Sequence, residues 1–247
     1  MALGYATTEG EDREARPVAS PRPALPHVPA LDGLRGLAVA AVVIFHLGHL
    51  RGGFLGVDLF FVLSGFLITS LLLGGRRGKN GGVDLGLFWS RRARRLLPAL
   101  FVLLAGVALL IAVYTPKAQR PLLRGDNLAT LGYVANWQAM SHQTTYWDLF
   151  TVPSPLDHMW SLAIEEQFYL VWPLVVAGLL LVTRRRGGSA PHRVALVALV
   201  GAAASFVVLG VTWSAIAPNR AYYGTDTRIG PTLLGAALAA LWVGRPW

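Results

Sequence analysis

Apolar and polar positions fall into long blocks along this chain rather than alternating. Six apolar runs lie at about 34–50, 54–73, 96–114, 156–183, 194–217 and 227–243. Each is long enough to cross roughly 30 Å of hydrocarbon as a helix. A seventh run, 127–140 (NLATLGYVANWQAM), is short and carries Asn127, Asn136 and Gln138. The pattern predicts an all-α fold: a polytopic membrane helix bundle of six strong spans plus one short re-entrant or interfacial segment. Backbone of such a segment must be buried in protein or line a cavity. Residues 1–30 carry Pro17, Pro21, Pro23, Pro26 and Pro29. That spacing forbids both a helix and a strand ladder, so 1–30 is expected to be a disordered cytoplasmic tail ahead of a transmembrane domain over 31–247. The tail lacks the basic start and apolar stretch of a signal peptide.

Composition sharpens this picture. Of the 247 residues 54% are hydrophobic and 14% charged, against about 45–50% and about 25% in soluble domains. Disordered and collagen-like classes are excluded by the same figures. Twenty-two Lys and Arg against thirteen Asp and Glu leave a net charge of +9. In a soluble protein that excess would suggest nucleic acid. Here the cations flank apolar runs, so they orient helices in a lipid bilayer, and no nucleic-acid partner is expected. Arg13, Arg16 and Arg22, the group Arg76, Arg77, Lys79, Arg91, Arg92, Arg94 and Arg95, and the turn with Arg184, Arg185, Arg186 and Arg193 belong on the cytoplasmic side. Arg51, Lys117, Arg120, Arg124 and Arg220 fall on the other. The expected arrangement is a multi-pass protein of the cytoplasmic membrane with its N-terminus inside. There is no cysteine, hence no thiol nucleophile or Cys-based metal site. No spaced His/Asp/Glu ligand set appears either, so no metal is expected.

Charge inside a bilayer is costly and marks function. The first run offers Arg35 and His46. Eleven residues return to within about 20° of one helix face and lie about 16 Å apart, so both share a face, with His46 deep along the helix. A lone histidine is more often a packed side chain than a catalyst, but the next run, GGFLGVDLFFVLSGF, adds Asp58. Asp58 either neutralises a buried His or Arg or orients His46 as a general base. Ser64 lies in SGF rather than a nucleophile-elbow motif, which favours helix packing over nucleophilic attack. The segment DHMWSLAIEEQFYLVWP contributes Asp157, His158, Glu165, Glu166 and Tyr169. Glu165 and Tyr169, four apart, share a face. An interfacial aromatic patch would account equally for much of this segment. RRARR places Arg92 and Arg95 at i and i+3. Such a pair is either a topology signal or a phosphate clamp.

These segments, taken together, resemble the acyltransferase 3 family of integral-membrane O-acyltransferases. The matching stretches are LDGLRGLAVAAVVIFHLGHL with Arg35 and His46, GGFLGVDLFFVLSGFLIT, FWSRRARRLLPAL with Arg92 and Arg95, WSLAIEEQFYLVWP, and DTRIGPTLLGAALA with Asp226 and Arg228. They run in family order from about 31 to 240. The resemblance implies transfer of an acyl group, usually acetyl, from cytosolic acyl-CoA (acetyl-CoA), a donor substrate rather than a resident cofactor. The implied acceptor is a hydroxyl of a carbohydrate, a glycolipid or a sugar-bearing small molecule in the cell envelope. It implies His46 as the central catalytic residue, supported by Arg35, with Glu165 as the acid of its motif; Asp58 stays a catalytic candidate from its place in the second run. Arg92 and Arg95 would engage the CoA phosphates, and Tyr169 and Ser64 are carried as substrate-side candidates. His46 would take the acceptor proton directly or relay the acyl group as an acyl-histidine. The family core has about ten spans, so this chain is expected to be shortened at its C-terminus, and IGP at 229–231 departs from the usual sequence after DTR. The competing reading is a proton-coupled transporter with His46, Asp58 and Glu165 as its relay.

Overall fold

The computed structural model of the chain describes residues 28–74, 82–117, 120–141, 154–214 and 218–243. The greater part of the expected tail, 1–27, lies outside the described residues. Helix α1 spans Pro29–His46, with proline in its first turn, where its missing N–H is no loss. Then come α2 (Leu55–Gly74), α3 (Leu85–Tyr114), α4 (Arg120–Leu131), α5 (Ala135–Ser141), α6 (Met159–Arg186) and α7 (Ala190–Thr212). The short α8 (Asn219–Tyr223) and α9 (Thr225–Arg228) lead into α10 (Gly230–Trp242). Among the described residues five helices, α1, α2, α3, α6 and α7, are long and apolar enough to cross a membrane. The sixth expected span is instead the 13-residue α10 preceded by α9, because the chain bends at Ile229 between them and Pro231 sits in the first turn of α10.

Side-chain pairings set the direction of each helix. Gly53 packs on Ala41 and Phe45, and Gly56 on Ala38 and Val42, so α1 and α2 form an antiparallel hairpin. Phe61 meets Trp160, Ser64 meets Glu165 and Thr69 meets Trp172, which makes α2 and α6 parallel neighbours. Arg92 meets Glu166, while Val107 and Ile111 cluster with Leu156 at the start of α6. Helices α3 and α6 are therefore antiparallel, and the chain leaves α3 and enters α6 at the same end of the bundle. That excludes a full crossing by 127–140. The run is broken into the end of α4 and all of α5 by a turn in which Tyr133 has φ +54°. At 1.5 Å per residue α4 reaches about 18 Å and α5 about 10 Å, too short to span.

A polar clasp fixes this broken segment. Gln167 donates to the Tyr133 carbonyl (2.8 Å) and to Asn136 Oδ1 (3.0 Å). Asn136, fully buried, donates to the Tyr223 carbonyl (3.0 Å) and to Thr225 (2.9 Å), and Thr225 donates to Gln167 (2.6 Å). The main apolar core lies between α2, α6, α7 and α10, around Ile68, Phe168, Trp172, Val194 and Ala236.

Candidate functional site

His46 is the last residue of α1 and opens into a cleft of about 290 Å³. The end of α1, Phe54 and Val57 at the start of α2, His158, Trp160 and Ser161 at the start of α6, and Tyr222 of α8 line it. His46 was expected deep in a span. It lies at a helix end because α1 stops there and the chain turns through Gly48 at φ +79°. Its Nδ1 lies 2.7 Å from the Val42 carbonyl, one turn back. A carbonyl only accepts, so Nδ1 carries the proton and Nε2 is the basic nitrogen of the neutral ring. A second imidazole stands beside it: the His158 ring lies 4.9 Å from His46, centroid to centroid. Burial, and then the neighbouring His46, hold His158 below the ordinary histidine range.

Asp58 does not serve this pair. Arg228 Nη1 lies 3.6 Å from its Oδ1. The same guanidinium sits over the Tyr222 ring (4.6 Å) and the Trp160 ring (5.9 Å), and its Nε donates to the Tyr222 carbonyl (3.0 Å). Of the two expected partners for Asp58, histidine or arginine, the fold supplies the arginine. The Asp58–Arg228 pair thus sits behind the two aromatic residues that form one wall of the cleft. On the rim Arg220 holds Asp226 through two contacts of 2.8 and 2.5 Å, which keep Asp226 below the usual carboxylate range. Arg35 lies eleven residues before His46, its guanidinium 5.2 Å from the Phe60 ring and its buried Nε without a hydrogen-bond partner.

A second polar centre lies deeper in the bundle. Glu165, 6% exposed, accepts from both Ser64 and Tyr169, whose side chains are 1% and 2% exposed. The shared face expected for Glu165 and Tyr169 is what allows that second bond. Arg92 covers the Tyr169 ring at 3.0 Å from its centroid and reaches Glu166 at 3.3 Å. Trp89 donates to the Tyr169 carbonyl at 3.1 Å. Ser64 and Tyr169, carried as substrate-side candidates, line neither the His46 cleft nor the cavity described next; both hold Glu165.

The third feature is a cavity of about 250 Å³ at the opposite end, where α2 and α6 finish and α3 begins. Arg91, Arg92 and Arg95 line it with Leu71, Phe88 and Leu180. Arg92 therefore belongs to the buried network and to this cavity at once, whereas Arg95 is exposed. His46, Asp58 and Glu165, a single relay under the transporter reading, occupy three separate sets of contacts. Sequence reasoning missed the roles of His158, Glu166, Arg228 and Tyr222. The DTR stretch and the residues before WSL held the signal, but neither reveals its neighbours.

This ordered set of motifs finds its counterpart among known proteins: the family described as "Acyltransferase domain" matches residues 28–246. The chain belongs to the acyltransferase 3 family. It is 43% identical over 224 residues to the peptidoglycan O-acetyltransferase OatA of Listeria monocytogenes, covering 87% of this chain and 34% of that protein. It is 42% identical to the putative peptidoglycan O-acetyltransferase YrhL of Bacillus subtilis, with 87% and 33% covered, and 41% identical to the O-acetyltransferase OatA of Staphylococcus aureus, with 87% and 35%. The chain thus spans about a third of the length of these curated relatives. No solved structure matches it.

Proposed function

We propose that this acyltransferase 3 chain moves an acetyl group from acetyl-CoA, bound at the arginine end, to a carbohydrate hydroxyl presented at the His46 cleft. The acceptor class follows the relatives, which are named for peptidoglycan. One observation carries the reading: two cavities open at opposite ends of one bundle, one lined by three arginines and one by His46. Guanidinium forks suit the phosphates of CoA. In this reading the arginine end, and with it the N-terminus, faces the cytoplasm, the side that loop cations favour.

Between the two ends the distance is short where it matters. Arg92 reaches Glu166 on α6, and Trp160 in the cleft wall lies six residues earlier, about 9 Å of axial rise. A donor held by its phosphates at Arg91, Arg92 and Arg95 extends its thioester along this path. At the cleft His46 Nε2 takes the proton of the acceptor hydroxyl as its oxygen attacks the thioester carbonyl. The new C–O bond forms, the C–S bond breaks, and the thiolate leaves with the proton. An acyl-histidine intermediate would use the same nitrogen as nucleophile.

The test is radiolabelled acetyl-CoA binding and acetyl transfer in membranes carrying the chain, its His46→Ala variant and the Arg92→Ala/Arg95→Ala double variant. The expected result is binding that survives His46→Ala and fails in the double variant, with transfer lost in both. Undiminished transfer by His46→Ala overturns the role of His46. Solute uptake into proteoliposomes without acetyl-CoA would instead support the transporter.

A further inference from the structure

We propose that His158 is the positioning and proton-sharing partner of His46 in the acyl-transfer site. Three observations lead there. The two rings face the same cleft with centroids 4.9 Å apart and planes inclined by 50°. Asp58, the sequence's candidate for orienting His46, pairs instead with Arg228. The Nδ1 proton of His46 is directed at the Val42 carbonyl, so any proton taken up arrives at Nε2.

The surroundings suit a pair that carries one proton. The walls are mainly apolar: Val42 and Phe45 of α1, Phe54 and Val57 near α2, Trp160 of α6. From α8 the Tyr222 phenol faces the cleft, and from α9 the Arg228 cation stacks behind Tyr222 and Trp160, offset by Asp58 of α2. Asp157 adjoins His158 in sequence, and Ser161 is the remaining polar group of the lining. Two imidazolium ions side by side repel one another, so a charge on the His46 ring disfavours a proton on His158. The lowered range of His158 is consistent with this neighbour. During transfer the acceptor O–H bond breaks, its proton is held by the two rings, the C–O bond forms, and the C–S bond breaks. The proton then passes to the departing thiolate, leaving both rings neutral and no net change in protons or electrons.

For its role in chemistry this inference rests on the acyl-transfer reading, but its first test does not. In the full chain, labelled with ¹⁵N-histidine and held in nanodiscs, the His158 resonance is titrated with and without His46→Gln. The expected result is a midpoint below that of a free histidine which moves upward in His46→Gln. An unmoved His158 midpoint overturns the pair, whatever the enzyme does. The second test is the pH dependence of acetyl transfer in His158→Gln and His158→Ala, with acetyl-CoA binding measured to show that each variant is folded. About a tenfold fall in kcat is expected, with the acid limb of the profile displaced to higher pH. A smaller rate over an unchanged profile would reduce His158 to packing and overturn the proposal. Coupled titration in a chain that transfers nothing would leave the pair standing and count against the acyl-transfer reading itself.

Discussion

Helices α1 and α10 both pack on α2 through glycines, yet they are held in opposite ways. In α10 eight of the thirteen residues are buried, among them Thr232, Leu233, Gly235 and Ala236. It is wedged between α2 and α7, and it carries no charge. In α1 the sole buried residue is Ala38. That helix leans on α2 along one narrow strip and turns most of its apolar surface outward, yet it bears Arg35 and His46. Structural tightness and the proposed chemistry thus fall on different helices. A small-residue seam lets two backbones approach to van der Waals distance and leaves no slack. A helix seated on one neighbour can place a side chain at a cleft mouth, where substrate must enter.

The largest expected effect tests that difference directly. A Cβ added at Gly65 would overlap the Thr232 carbonyl oxygen, and one at Gly235 the Val62 carbonyl oxygen. Gly65→Ala forces α2 and α10 apart in the middle of the core, with an expected loss of about 3 kcal/mol in detergent unfolding. Gly56→Ala meets the Ala38 carbonyl in the same way, but α1 has room to move outward. We expect it to lose at least about tenfold in transfer rate while costing no more than about 1–2 kcal/mol of stability. Equal destabilisation by the two changes would break the comparison.

Next comes Glu165, a polar group built into the tight half. Glu165→Ala leaves the Ser64 and Tyr169 hydroxyls buried without their shared acceptor. The expected cost is about 2 kcal/mol. Glu165→Gln keeps an acceptor oxygen and should cost less than half as much. Parity between the two would show that the hydroxyls find other partners.

Smaller again is the contrast between Arg92 and Arg95. Arg92→Ala removes the cation over Tyr169 and the contact with Glu166, so about 1–2 kcal/mol of stability should go together with weaker acetyl-CoA binding. Arg95→Ala touches neither group and should weaken donor binding alone. The smallest effect lies at the rim. Asp226 is held below the usual carboxylate range by its bonds to Arg220, so this pair's contribution is complete above about pH 4 and disappears as pH falls through the depressed value. Both partners are about half exposed, so Asp226→Asn should remove only about 0.5 kcal/mol at neutral pH and nothing in strong acid.

Much of this architecture can be read from the sequence in physical terms. A bilayer demands about 20 apolar residues per crossing, and five of the expected runs are helices of that kind. The loop cations predicted that 127–140 does not cross, and the parallel pairing of α2 with α6 agrees. The i,i+4 spacing of Glu165 and Tyr169 was enough to place them together. Less visible was the break at Tyr133, whose left-handed backbone is held by Gln167 from another helix. The shortness of α10 was also hidden, since the sequence runs on through the bend at Ile229 without a polar break.

By itself, then, the sequence determined five of the helical spans, the end of the bundle that collects the arginines, the small residues available for close packing, and the family to which the chain belongs. Those are properties of local composition and periodicity, and solvation by lipid or water reads them directly. Only the tertiary structure decided the pairings: His46 with His158, Asp58 with Arg228, Glu165 with Ser64, and Arg92 with Tyr169 and Glu166. Helical periodicity tells which face a side chain occupies. It does not tell which other helix that face will meet, because that depends on which glycine seams close, and the partners in all four of these pairings come from opposite sides of the α4–α5 excursion.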